Sequence, residues 1–319
     1  MQIGMIGLGR MGANITRRLI GHGHSVVVFD QAAAAIDALK REGATAAKTL
    51  EDAVKQLKPP RAVWVMLPAG DATEQTIERL GDILHAGDIV IDGGNTFWRD
   101  DLRRAAALKR KGLHHLEVGT SGGVLGREHG YCLMIGGEGD IVARVAPVFA
   151  ALAPGGASGG KSTAAQGWLH VGENGAGHFA KMVHNGIEYG VMQAYAEGFQ
   201  ILKETDAAAL PQAERFTLDV AAIAELWRHG SIISSRLLDV IAAALDADGK
   251  LDGFSGAVED TGEGRWTVQT AIERAIPAMA LTTALNARFR SRRESNYADK
   301  MISAMRKGFG GHAEPKGKS

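Results

Sequence analysis

Lys181, Asn185 and Glu188 lie four and seven residues apart in the stretch Gly175-Ala176-Gly177-His178-Phe179-Ala180-Lys181-Met182-Val183-His184-Asn185-Gly186-Ile187-Glu188-Tyr189-Gly190. On a helix, at about 100° per residue, Lys181 and Glu188 fall within roughly 20° of one face and about 10 Å apart along the axis. Asn185 lies between them and His184 to one side. An amine and a carboxyl group two turns apart supply a base and an acid that could flank a small polyol. The plain alternative is a solvated polar stripe. Against it stand Gly175 and Gly177, which let something approach the helix start, and Phe179, Met182, Val183 and Ile187, which form a separate apolar face. To take a proton Lys181 must be neutral, so its pKa is expected well below the usual value of about 10.4, through partial burial or nearby positive charge.

A second pattern concerns phosphates. Gly7-Leu8-Gly9-Arg10-Met11-Gly12 follows a short apolar run and opens a helix-like segment. Glycines so spaced permit a tight turn, admit a pyrophosphate to the backbone and let helix pack on strand, while the helix N-terminus offers unpaired N–H groups. Asp30 stands 18 residues past the third glycine, where an acidic residue accepts hydrogen bonds from ribose hydroxyls. A carboxylate there repels a 2′-phosphate, and neither Gln31 nor Ala32 is a cation, so NAD is expected rather than NADP. The expected cofactor set is completed by Leu67, Pro68, Ala69 and Asn95. Gly155, Gly160, Lys161 and Ser162 also match the P-loop pattern. That loop needs a buried strand before it and a helix after it, whereas 142–152 reads as helix and Gly167 with an apolar patch over 168–171 follows. An interdomain loop is expected there.

These groups need elements to hold them. Apolar runs over 3–6, 26–29, 62–67, 89–91, 115–118 and 132–135 predict strands, and amphipathic stretches near 11–20, 33–41, 72–84 and 101–111 predict helices between most of them. Near-continuous apolar strands separated by helices imply an α/β fold, an N-terminal Rossmann-type doubly wound parallel sheet. Helical periodicity then dominates: a long helix over 176–203 and others over 220–228, 236–247, 268–274, 279–289 and 297–306 predict an all-helical C-terminal domain. The expected division is 1–165 for the nucleotide-binding domain and 166–319 for the helical, substrate-binding and dimerising one. The 42 glycines among 319 residues, about 13% against roughly 7% in average usage, suit many turns and close backbone approaches. With 36 basic and 36 acidic residues the formal net charge is zero, which leaves no electrostatic footprint for nucleic acid or an anionic membrane. No apolar run approaches a membrane span, and Gly4, Gly7, Gly9 and Arg10 interrupt the apolar N-terminus where a signal peptide needs continuity. The single cysteine, Cys132, allows no intrachain disulfide and fits a reducing compartment. A cytoplasmic protein is expected. No metal site is expected either, since the adjacent His114 and His115 on a strand point to opposite faces.

The segment from Gly175 to Gly190 resembles the signature of the decarboxylating 6-phosphogluconate dehydrogenases; the wider β-hydroxyacid dehydrogenases share only the lysine and the asparagine four residues on. Further landmarks of the family follow in order: Asp92-Gly93-Gly94-Asn95-Thr96, Thr120-Ser121-Gly122-Gly123, Gly262-Glu263-Gly264-Arg265-Trp266-Thr267, Ala287-Arg288-Phe289 and Arg306-Lys307-Gly308-Phe309-Gly310-Gly311-His312. The length resembles the shorter bacterial class. The resemblance implies that Lys181 takes the C3 hydroxyl proton as hydride leaves C3, then polarises the 3-keto oxygen while carbon dioxide departs, and that Glu188 protonates C1 of the enediol to give ribulose 5-phosphate. A β-keto acid needs only a positive donor at its carbonyl, so no metal is required. It implies that Asn95, Ser121, Gly122, Gly123, His184 and Asn185 hold the sugar-acid end, and that Tyr189, Arg265, Thr267 and Arg288 hold the phosphate, which guanidinium forks match. Arg265 stands where longer members carry lysine. Arg306 and His312 match a tail that reaches the neighbouring subunit's site, so a homodimer or a dimer of dimers is implied, as is a role in gluconate use and the pentose phosphate route. Asp30-Gln31-Ala32 replaces the Asn-Arg-Thr with which many members grip a 2′-phosphate, which agrees with NAD.

Two other functions share parts of these features. A β-hydroxyacid dehydrogenase acting on a small unphosphorylated acid keeps the glycine turn and Lys181 but gives no reason for Glu188, Tyr189, Arg265 or the tail. A non-catalytic NAD-binding sensor keeps Gly7, Gly9, Gly12 and Asp30 and has no need of Lys181 and Glu188 on one face.

Overall fold

Val, Ile and Trp runs too short for helices build one sheet. In the computed structural model, which describes residues 1–155, 162–293, 297–298, 300–302 and 305, the strands are β1 (Gln2–Ile6), β2 (Ser25–Phe29), β3 (Thr45–Ala46), β4 (Ala62–Val65), β5 (Ile89–Asp92), β6 (His114–Ser121), β7 (Cys132–Gly137) and β8 (Trp168–Gly172). Their order is β3-β2-β1-β4-β5-β6-β7-β8. The connections through β6 are helices: α1 (Arg10–Gly21), α2 (Ala33–Arg41), α3 (Leu50–Gln56), α4 (Asp71–Ile83) and α5 (Trp98–Lys109). Side chains alternate along each strand. Met5, Val26, Val28, Trp64 and Ile91 therefore enter one buried core, and Val27, Val63, Val65 and Val90 the other. Both faces are covered, which is why these strands are apolar throughout rather than alternating.

The expected α/β architecture holds with two differences. β7 runs antiparallel to β6. Only a 3₁₀ turn and the four-residue α6 (Gly126–His129) link them, and a return to parallel needs a crossover of a dozen residues or more. After α7 (Gly139–Leu152) and the short α8 (Thr163–Gln166), β8 pairs parallel to β7 and extends the sheet. This strand lies within 166–319, where only helices are expected. The P-loop-like segment has residues 156–161 outside the described residues. A helix, α7, precedes it, and the Ser162 hydroxyl accepts from the Ala165 N–H at 3.2 Å to cap α8.

The helix α9 (Ala176–Lys203) leaves the sheet. By contacts the chain forms two units, Met1–Asn185 and Gly186–Ser319, divided within α9. The second unit adds α10 (Val220–Arg228), α11 (Arg236–Ala247), α12 (Glu263–Glu273) and α13 (Met279–Ser291). Ala224, Ala242 and Leu245 close one small core with Phe199, and Tyr189, Ala284 and Leu285 another with Val268 and Phe289. Of the helix expected over 297–306, residues 297, 298, 300–302 and 305 are helical, and Arg306 and His312 lie outside the described residues. Among the described residues no helix is long and apolar enough to cross a membrane.

Candidate active site

The sheet order reverses between β1 and β4, and in such sheets ligands sit beyond the strand ends at that point. Gly7 follows β1 there with φ +93°, a conformation that disfavours any side chain, and a Cβ on it would strike Leu67 at 2.8 Å. A Cβ on Gly12 would overlap the Gly7 carbonyl oxygen, whereas one on Gly9 would meet nothing within 4 Å. The turn is therefore closed on the protein side and open outward at exposed Gly9 and at exposed Arg10, which begins the helix ahead of half-buried Met11. No side chain caps the start of α1, so its first N–H groups remain available to an anion. Asp30 follows β2 and accepts from Leu8 N at 2.6 Å and Ala32 N at 2.8 Å. Its carboxylate is thus fixed beside the glycine turn. Leu67 is half-buried and Pro68 and Ala69 are exposed; the Thr73 hydroxyl donates to the Pro68 carbonyl at 2.7 Å and ties that loop to α4. This is a cradle of the right form for a dinucleotide pyrophosphate and ribose.

Exposed Asn95 sits on a loop organised from below. Asp92, fully buried, accepts from Gly94 N at 3.0 Å and from the Thr96 hydroxyl at 2.8 Å. Arg104 donates to the same carboxylate at 2.9 Å and to Glu74 at 2.9 Å. Asp101 and His178 extend the network, 2.7 Å apart. Asp92, Asp101 and His178 each bring a ligand-type atom within 4.8 Å of the others. Arg104 supplies a positive charge to Asp92 at 2.9 Å, while the buried Asp101 Oδ1 and His178 Nε2 make no hydrogen bond among the described residues.

The network makes stability depend on pH. Burial opposes a charge on His178, but the attraction of Asp101 and their hydrogen bond, with Asp92 and Glu117 beyond, outweigh it and raise the ring to about 9. Burial, reinforced by Asp101, pushes Glu117 up to about 7. Both values lie above those of the unfolded chain, about 6.5 and 4.3. Each group therefore contributes stability that is present below its unfolded value and lost as pH rises through the folded one. His115, which burial holds down to about 4, contributes in the opposite sense, losing stability as pH falls through that value. The urea midpoint of unfolding should thus fall between pH 6 and pH 9, and His178→Gln should flatten the decline above pH 7.

Lys181, 7% exposed, donates to Asn185 Oδ1 at 2.6 Å. As an ammonium the lysine side chain has donors only, which fixes that atom as oxygen. His184 Nδ1 lies 3.0 Å from the same oxygen and must therefore carry a proton. In the neutral ring Nε2 is then the acceptor, and the Ser121 hydroxyl donates to it at 3.2 Å. A relay of four predicted residues thus runs from the end of β6 to the first turns of α9. Gly122 and Gly123 continue from Ser121 in exposed backbone with φ +130° and +53°.

In the second unit the Arg288 guanidinium stacks 3.5 Å from the centroid of the Tyr189 ring and donates to the Glu259 carbonyl at 2.8 Å. Burial raises the Tyr189 hydroxyl above its ordinary value, against the pull of Arg288. Thr267 is buried, and its hydroxyl donates to the Glu263 carbonyl at 2.8 Å. Arg265 is engaged by Asp260 through both Nε and Nη2, at 2.7 and 3.1 Å. Asp260 was not singled out from the sequence. Glu188 is half-buried on α9. Also missed were Glu117 and Arg104; the available signal was a charge inside an apolar strand and a buried face on α5. A cleft of about 710 Å³, lined by Leu102, Lys109, His114, Glu138, His170 and Asn174 among others, lies where β6 begins, at the opposite end of that strand from Ser121.

Residues 2–167 match the family model described as the NAD binding domain of 6-phosphogluconate dehydrogenase, and residues 177–211 and 207–314 match that of the 6-phosphogluconate dehydrogenase C-terminal domain. A Haloferax volcanii protein named 6-phosphogluconate dehydrogenase, NAD(+)-dependent, decarboxylating is 38% identical over 98% of this chain and 98% of its own length. The Plasmodium falciparum 6-phosphogluconate dehydrogenase, solved in its apo form, with its cofactor NADP+ and with its substrate 6-phosphogluconate, aligns with a TM-score of 0.78 at 26% identity, over 100% of this chain and 67% of that one. A Mycobacterium tuberculosis 3-hydroxyisobutyrate dehydrogenase shares the fold, with a TM-score of 0.69 at 21% identity over 96% of this chain and 99% of its own.

Proposed function

The chain belongs to the 6-phosphogluconate dehydrogenase family, and from that premise we propose that it oxidatively decarboxylates 6-phosphogluconate to ribulose 5-phosphate with NAD. The observation that carries this reading is the buried amine of Lys181, held by Asn185 in a relay with His184 and Ser121. Gly7, Leu8, Gly9, Arg10, Met11, Gly12 and Asp30 hold the cofactor, with Leu67, Pro68, Ala69 and Asn95. Bound NAD supplies the acceptor for the C3 hydride. Lys181 takes the C3 hydroxyl proton, and the resulting ammonium then donates to the 3-keto oxygen. As carbon dioxide departs, the electron pair of the broken carbon–carbon bond passes into the enediol, and the ammonium donates to the keto oxygen that takes up the charge. Glu188, on the same helix, returns a proton to C1 of the enediol. Asn95, Ser121, Gly122, Gly123, His184 and Asn185 bind the sugar acid, and Tyr189, Arg288, Thr267 and Arg265 its phosphate, with Arg265 shared between Asp260 and the ligand. The 1–165 and 166–319 portions are the cofactor-binding and the substrate-binding, dimerising domains. Arg306 and His312 serve the neighbouring subunit of a homodimer, in the cytoplasm, in gluconate use and the pentose phosphate route.

The test is the initial rate of near-ultraviolet absorbance increase with 6-phosphogluconate, run in parallel with NAD and NADP. The carboxylate of Asp30 predicts a preference for NAD of about tenfold or more, which corresponds to about 1.4 kcal/mol. Reduction of NADP alone would overturn the cofactor assignment and keep the enzyme. Reduction with 3-hydroxyisobutyrate and none with 6-phosphogluconate would move the protein to the unphosphorylated-acid dehydrogenases.

A further inference from the structure

The helix carrying Lys181 begins against strands, with no side chain in between. A Cβ on Gly177 would lie 2.7 Å from Gly136 N and 2.9 Å from the Glu117 carbonyl oxygen, and one on Gly119 would overlap Lys181 Cβ. Backbone therefore meets backbone where α9 crosses β6 and β7, and the stem of Lys181 lies on bare strand. Close packing alone does not set the rotation of a helix about its own axis. That requires directional contacts: the His178–Asp101 pair supplies one, and Glu117 supplies one to the backbone of the turn itself.

Glu117 projects from the middle of β6 and is fully buried. Its Oε1 accepts from the N–H of Gly175 at 2.5 Å and from that of Gly177 at 3.3 Å, and its Oε2 accepts from Asn174 Nδ2 at 3.1 Å. Asn174 in turn donates to the His115 carbonyl at 2.8 Å, which ties the segment leading into the helix to the same strand. The carboxylate thus occupies the start of α9, where N–H groups lack intrahelical partners and the dipole favours negative charge. All three groups are donors, so the site is built for an acceptor on both oxygens. Gly177 is one helical turn before Lys181, and in an α-helix the N–H of residue 181 bonds the carbonyl of residue 177. The anchor is therefore a single hydrogen-bonded turn from the amine.

We propose that Glu117 is a positioning residue for Lys181, its side chain fixing the rotation and depth of the first turn of α9 on the sheet so that the amine meets the substrate in the reactive geometry. This rests on the reaction proposed for Lys181. Misplacement of a reacting group by about 1 Å costs about 100-fold in rate, and loosening an anchor one turn away allows displacements on that scale.

The test is Glu117→Gln in the full chain. Glutamine keeps the shape and replaces one acceptor by an NH2, which faces a donor whichever way the amide turns. The expected result is a kcat with 6-phosphogluconate lower by about 10- to 100-fold, with NAD affinity in the binary complex within twofold of the wild type, because the cofactor turn at Gly7–Gly12 does not touch Glu117. A kcat within twofold of the wild type overturns the proposal. So does a parallel loss of kcat and NAD affinity, which is the pattern of a residue that merely holds the unit together. If Glu117→Gln does not fold, Asn174→Ala removes one donor and leaves both backbone bonds to the carboxylate, and the same split with a smaller drop in kcat is expected. If wild-type protein turns over no 6-phosphogluconate, the reaction assignment fails and the positioning is measured directly. The ¹³C-methyl signal of reductively methylated Lys181, assigned by its loss in Lys181→Arg, should move between wild type and Glu117→Gln; an unchanged signal overturns the proposal.

Discussion

Lys181→Met should lower kcat with 6-phosphogluconate by about 10³-fold or more while leaving NAD affinity within about twofold. A positioned acid–base group alone contributes about 10²- to 10⁴-fold, and in the proposed reaction this amine has two tasks. It removes the hydroxyl proton, and as an ammonium it stabilises the charge that develops on the keto oxygen, a role worth a further two to three orders of magnitude in comparable sites. Methionine fills the buried volume that Lys181 occupies beside Gly119, so little stability should be lost. Lys181→Arg should not rescue activity. A guanidinium stays protonated at any working pH and cannot act as the base, and its planar fork does not reproduce the single 2.6 Å bond to Asn185 Oδ1. Single-turnover reduction of NAD checks both variants against the wild type. A Lys181→Met enzyme that retains a tenth of the wild-type kcat would remove Lys181 from the chemistry and return weight to a cofactor-binding protein without catalysis.

What the sequence disclosed and what it withheld follow from the range of each interaction. The glycine turn is local: Gly7, Gly9, Gly12 and the strand and helix around them are contiguous, and β1, β2, β4 and β5 are short continuous apolar runs because both faces of the sheet are buried. The long helix was legible from its period, and Lys181 and Asn185 from their spacing on it. β3, only two residues long, is below any detectable period. β8 reads WLHVG, and its register slips at its bulge against β7, so its alternation does not stand out. The relay from Ser121 to His184 joins residues 63 apart, which local spacing cannot reveal; the family resemblance had grouped them for a different reason. Glu117 lay in plain sight within an apolar strand. Its partners, the backbone N–H groups of Gly175 and Gly177, are invisible in a sequence because every residue except proline has one. Arg265 shows the opposite problem. Its residue type suits a phosphate, yet its local carboxylate partner, Asp260, is five residues away and holds the Nε–Nη2 edge of the guanidinium.

Arg104→Leu should destabilise the N-terminal unit by about 3–5 kcal/mol, because it removes one partner of a buried charge network and leaves the others uncompensated. The Arg104 side chain is 3% exposed, and its partner Asp92 is fully buried at 2.9 Å. For a unit of this size each kcal/mol lowers Tm by about 2–4 °C, so a fall of about 10 °C is expected. Arg103→Leu is the control. It pairs with the same Glu74, but its side chain is 56% exposed, and an ion pair in solvent is worth about 0–1 kcal/mol. The two variants remove the same charge from adjacent positions on α5 and differ in burial and in contact with Asp92. Arg104→Leu should also raise KM for 6-phosphogluconate more than KM for NAD, since Asp92 holds Gly94 and Thr96 on either side of Asn95, whereas the Gly7–Gly12 turn does not depend on it. Thermal unfolding and steady-state kinetics on the pair separate the two effects. Equal losses in both variants would mean that Asp92 is held by its loop alone, and that the buried guanidinium compensates a charge without shaping the loop that carries Asn95.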